Sequence, residues 1–140
     1  MGDKTIIRWD PRQHPHWLIS GTTGAGKTVA ERMMITAFVA TRGRVIVLDP
    51  KGGSDYAGLE GQHVKVVTGI PEASAALTRV VAVMGARQTA LRERMAETGN
   101  YDLDIYDMRY VPLLIVLDEA ASYLADEIVG YRSRSKAIGR

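Results

Sequence analysis

The sequence predicts an α/β fold, a parallel sheet covered by helices, on three observations. Short apolar runs at Trp17-Leu18-Ile19-Ser20, Val45-Ile46-Val47-Leu48 and Leu113-Leu114-Ile115-Val116-Leu117 stop at a glycine, an Asp-Pro turn or a pair of acids. Segments with helical spacing lie between them, and that alternation builds parallel sheets. The chain has 140 residues, 46% hydrophobic and 24% charged, which suits one domain with a real core and argues against disorder. The absence of cysteine excludes a disulfide scaffold, a thiolate zinc site and a cysteine nucleophile. No apolar run approaches the ~20 residues that cross a bilayer. The first residues, Met-Gly-Asp-Lys-Thr-Ile-Ile-Arg, match neither a signal peptide nor a presequence, so the expected location is cytoplasmic.

The elements follow in order. Trp17 to Ser20 reads as a buried strand ending at Gly21. Residues 29–42, with Val29, Met33, Met34, Ala37 and Phe38 apolar, read as a helix ended by Gly43. Val45 to Leu48 is a second buried strand, closed by Asp49-Pro50-Lys51-Gly52-Gly53. Val64-Lys65-Val66-Val67 reads as a short edge strand. Pro71 then opens a long helix to about Glu97, with Leu77, Val80, Val81, Met84, Leu91 and Met95 on one face. Gly85 inside it marks an expected close helix contact. An acidic, aromatic connection over 98–110 leads to the strand Leu113 to Leu117, with Asp118-Glu119 at its end. A further helix through Ala120, Leu124 and Ile128 is expected before a tail carrying Arg132, Arg134, Lys136 and Arg140. The net charge of +2 is too small to announce nucleic acid by itself.

Gly21-Thr22-Thr23-Gly24-Ala25-Gly26-Lys27-Thr28 fits the phosphate-loop pattern G-x-x-x-x-G-K-[ST], between an apolar run and a helix. Its glycines let the backbone curl N–H groups around phosphate oxygens, and the helix N-terminus adds partial positive charge. Lys27 is expected to reach the β- and γ-phosphates of ATP, and Thr28 Oγ1 to ligate Mg2+. An acid at the end of the third strand, Asp118, is placed to hold that metal through water. The carboxylate after it, Glu119, is placed to orient and deprotonate an attacking water. Together the two motifs point to NTP hydrolysis driving mechanical work.

Other signals in the sequence are weaker. Asp55-Tyr56-Ala57-Gly58 matches the D-x-x-G of GTPases, but no N-K-x-D guanine-reading motif occurs, and the segment reads as a loop. Asp49 and Lys51 stand where ligands gather in open α/β sheets; they either touch the nucleotide site or, for Asp49, cap a turn. His14, His16 and His63 show no metal-ligand spacing. Tyr101, Tyr106 and Tyr110 lie among Asp102, Asp104 and Asp107, which would repel a phosphate backbone, so packing is their expected role.

The phosphate loop, the segment Val45-Ile46-Val47-Leu48-Asp49-Pro50-Lys51-Gly52 and the acidic strand Leu114 to Ala120 together resemble the motor domain of the FtsK/SpoIIIE DNA translocases, in conjugative or mobile-element form. The Arg-containing helix Leu77…Met84…Arg87…Arg94-Met95 supports the resemblance, which spans about residues 13–140. It implies a RecA-like P-loop NTPase, built as a hexameric ring that pumps double-stranded DNA. Lys27 and Thr28 would bind phosphate and magnesium, Asp118 would support the metal, and Glu119 would activate water. Residues 1–12 would be an N-terminal extension, and 13–140 the N-terminal part of the ATPase domain. In the family a Thr-Gln sensor strand follows the Arg-Ala-Ala-Gly-Ile-His-like turn and lies between the phosphate-loop strand and the acidic strand. The residues here stop at or just before that turn, so the expected sheet is incomplete and hydrolysis by this stretch alone weak. The alternatives are a catalytically incomplete nucleotide-binding or interaction module derived from such a motor, and a small P-loop kinase.

Overall fold

The fold is taken from a computed structural model that describes residues 9–22, 24–52 and 54–122. Helix α1 (Lys27–Ala40) leads to strand β1 (Arg44–Asp49). A 3-10 turn (Ala57–Leu59) then precedes β2 (Val64–Thr68), long helix α2 (Ile70–Thr98) and β3 (Leu113–Leu117). The three strands form one parallel sheet in the order β2-β1-β3. The expected parallel α/β architecture is therefore present.

The register explains the layering. Val45 stands beside Val64 and Leu114, and Val47 beside Val66 and Val116. Successive strand residues point to opposite faces, so this set shares one face. On it sit Ile35 and Phe38 of α1 together with Tyr56, and Ile35, Val47 and Tyr56 are fully buried. Ile46 on the opposite face lines a cleft beneath the N-terminal half of α2, where Ala73 is completely buried. Gly43 ends the α1 connection because any side chain there would collide with the Phe38 ring.

Four expectations change. First, Trp17 to Ser20 forms no strand, and Leu18 is 92% exposed. β1 pairs directly with β3, and among the described residues no strand lies on β3's other edge. Residues 15–19 and residues 114–117 of β3 line a common cleft of about 310 Å3 without forming a ladder.

Second, α1 buries only part of its expected apolar set, Phe38 wholly and Met34 by half, with Ile35 added to it. Val29 and Met33 are exposed, while Ile35 and Phe38 are buried. Third, the apolar stripe of α2 is only partly covered: Val80, Leu91 and Met95 are half-buried, but Leu77, Val81 and Met84 are exposed. The cleft against the sheet is lined by Ala76, Val80 and Val83 together with Ile46, so Leu77, Val81 and Met84 fall outside the sheet-facing positions of the helix. Fourth, Gly85 makes no close helix contact, because a side chain at that position would meet only open space.

Other expectations hold. Val64–Thr68 is an edge strand, Pro71 lies in the first turn of α2, and Gly99 closes that helix with φ 66°. A helical turn begins at Ala120 to Ser122; Leu124, Ile128 and the basic tail lie outside the described residues. Among the described residues no helix is long and apolar enough to cross a membrane.

Candidate nucleotide site

The phosphate loop is built by two left-handed glycines. Gly24 has φ 80° and Gly26 φ 85°, conformations that cost an L side chain about 1–2 kcal/mol. They bend the chain so that Ala25 N–H donates to Thr22 O at 3.1 Å and α1 starts at the next residue, Lys27. No side chain caps α1 and its first turn holds no acid, so the positive end of the helix dipole is not neutralised from within. The Lys27 ammonium folds back over the loop, donating to Gly21 O at 2.6 Å and Thr22 O at 3.3 Å. Thr28, in the first helical turn, is half-buried; Thr23 lies outside the described residues. Glycine-dependent curvature, an uncapped helix start and a lysine held at the loop mouth fit a nucleotide phosphate chain.

The acidic strand end meets this loop. Asp118 N–H donates to Leu48 O at 3.0 Å, carrying the β1–β3 ladder one residue past β3. Its Oδ1 accepts the N–H of Glu119 at 2.8 Å. Glu119 itself adopts φ 50°, a left-handed conformation that a non-glycine residue holds only when its surroundings impose it. Lys27, Asp118 and Glu119 line one cleft, the same one that residues 15–19 and β3 line. The two motifs, 91 positions apart between Lys27 and Asp118, are thus brought to a single site.

Three groups not assigned to the site from sequence join it. Lys51 Nζ donates to Glu119 Oε2 at 2.8 Å, and Asp49, 2% exposed, accepts the Lys51 N–H on Oδ1 at 2.8 Å. Asp49 thus caps its turn, and Lys51 reaches the Glu119 carboxylate. The ammonium holds the Glu119 carboxylate below its ordinary range, and Glu119 in turn raises Lys51.

The third group is Glu31, one turn after Lys27 on α1. Burial raises its pKa and the nearby Asp118 charge adds to this, while the Tyr56 hydrogen bond and the Lys27 charge oppose it. Tyr56 is fully buried, and its phenol donates to Glu31 Oε2. Burial raises the phenol further above its usual value, and the Glu31 bond and charge reinforce the shift. The i, i+4 spacing of Lys27 and Glu31 was a usable sequence signal; the partnership with Tyr56, 25 residues on, had none.

Tyr56→Phe is expected to lower stability by about 1.5–3 kcal/mol, because it removes a donor to a half-buried carboxylate. Urea unfolding checks this, and a midpoint equal to wild type would show that the bond contributes nothing.

The remaining candidates fall elsewhere. His14 and His16 are exposed, and among the described residues no three metal-type side chains converge. The tyrosines of the acidic connection engage arginines: Arg12 stacks on Tyr106 at 4.5 Å and Arg87 on Tyr110 at 4.8 Å, while Tyr101 is exposed.

With this geometry in view, comparison with known proteins defines the class. The FtsK/SpoIIIE family model matches residues 2–110, and the chain belongs to that family. A DNA translocase FtsK of Bradyrhizobium diazoefficiens is 37% identical over 118 residues, covering 80% of this chain and 14% of the relative. The FtsK of Shewanella oneidensis is 40% identical over 92 residues, covering 61% of this chain and 10% of its own length. The ESX secretion system protein EccC of Thermomonospora curvata is 29% identical over 127 residues, covering 79% of this chain and 10% of the relative. The chain thus spans a small part of each. No solved structure matches it significantly.

Proposed function

We propose that this chain is the ATP-binding and hydrolysing part of a motor that moves double-stranded DNA. The observation that carries the reading is the meeting of phosphate loop and acidic strand end on one cleft. The residues fit ATP with Mg2+. The N–H groups of Gly24 and of 26–28 would cradle the phosphates, Lys27 would leave its loop carbonyls for the β- and γ-oxygens, and Thr28 with Asp118 would hold the metal. Bound Mg2+ supplies neutralisation of phosphate charge. Glu119 would take the proton of the water whose oxygen bonds to the γ-phosphorus as the bond to the ADP oxygen breaks.

DNA is preferred over protein as cargo because the FtsK relatives reach 37–40% identity against 29% for the secretion protein. By the same kinship the working form is a ring of several copies, six in the expected case, in the cytoplasm. The acidic connection, with Asp102, Asp104 and Asp107, would face away from the DNA path, because its charge opposes phosphate. The small-kinase alternative has no observation in its favour.

The test is phosphate release from ATP at high protein concentration, with and without linear duplex DNA. Release stimulated by DNA supports the motor. ATP bound with no effect of DNA would overturn the DNA part and leave a nucleotide-binding module.

A further inference from the structure

The ends of β1 and β3 are built alike. β1 ends on Asp49 and β3 is followed directly by Asp118, and the Oδ1 of each accepts a backbone N–H just beyond it, from Lys51 for Asp49 and from Glu119 for Asp118, both at 2.8 Å. The two residues aimed in this way meet each other, Nζ to Oε2 at 2.8 Å. Each side of the contact is fixed from below: Asp49 is almost wholly buried, and Glu119 holds a left-handed φ. An ion pair between side chains as exposed as these, 66% and 42%, contributes little to folding. Its geometry therefore calls for an account other than stability.

We propose that Lys51 is a positioning residue for Glu119, holding one carboxylate oxygen so that the other is directed at the attacking water. The inference rests on the ATP-hydrolysis reading and adds to it a residue outside both nucleotide motifs. Rotation of a carboxylate about its long side chain would otherwise spread the base over several rotamers. Misplacement by about 1 Å is enough to slow a proton transfer substantially. One bond from a lysine in the Asp49-capped turn beyond β1 removes that freedom.

The test separates binding from chemistry. Affinity is measured with a fluorescent ATP analogue and rate by single-turnover hydrolysis of labelled ATP under protein excess. Lys51→Met is expected to slow the single-turnover rate about tenfold while leaving affinity within about twofold. Lys51→Arg should recover most of the rate, since a guanidinium can hold the same oxygen. In a Glu119→Gln background, Lys51→Met should add nothing further.

An unchanged or faster rate in Lys51→Met overturns the inference, the faster one showing that the pair restrains Glu119. An equal fall in affinity and rate also overturns it, because Lys51 would then bind phosphate directly. Wild-type protein that binds ATP yet hydrolyses none overturns it as well. Wild-type protein that fails to bind ATP instead removes the nucleotide reading, and this inference falls with it.

Discussion

Replacing Glu119 with glutamine is expected to leave ATP bound and to reduce its hydrolysis by about 10²–10⁴-fold, the usual contribution of a positioned general base. The substitution keeps the shape of the side chain and an oxygen able to accept from Lys51, so the loop ends should stay in place. It removes the proton acceptor alone. Lys51 and, at longer range, Lys27 both favour the charged carboxylate, so Glu119 enters the reaction ionised at neutral pH. Phosphate release and a parallel nucleotide titration check the result. Unchanged release would remove Glu119 as the base and leave its left-handed backbone unexplained.

Lys27→Ala should act at the earlier step. In the structure the ammonium bridges the carbonyls of Gly21 and Thr22, so it already lies at the mouth of the loop. With nucleotide present, the same charge would sit against phosphate oxygens. A charge-assisted hydrogen bond of about 1.5–3 kcal/mol corresponds to roughly 10–100-fold in affinity. The fold should survive, because the buried face of α1 is made by Ile35 and Phe38 and not by its first turn. Thermal unfolding within a degree or two of wild type, together with lost binding, would separate the charge from the scaffold.

Much of the scaffold was legible in the sequence because its signals are local. Val45 to Leu48 and Leu113 to Leu117 are continuous apolar runs, as parallel strands read, the central β1 buried and β3 half-buried. The phosphate loop was legible because Gly24 and Gly26 supply a backbone geometry that few residue types permit.

What stayed hidden depends on tertiary partners. Trp17 to Ser20 has the composition of a strand, yet strand identity needs a paired neighbour, and this segment pairs with none of β1, β2 and β3. The stripe Leu77, Val81, Met84 has helical spacing, but spacing does not reveal that the sheet-side cleft takes Ala76, Val80 and Val83 instead. At the site, Lys51 and Glu119 are 68 residues apart and become partners only because β1 and β3 are paired in parallel, end to end. Tyr56 and Glu31 meet across the α1–sheet interface in the same way. Sequence motifs named the residues that would touch phosphate; the fold was needed to find those that hold them.

Equilibrium titration of ATP with Mg2+ into the wild-type chain and its Lys27→Ala variant tests the central claim most directly. Saturable binding by the wild type that weakens at least tenfold in the variant is the expected result. Equal affinity in the two proteins, or no binding by either, would contradict the assignment of this loop as a nucleotide site.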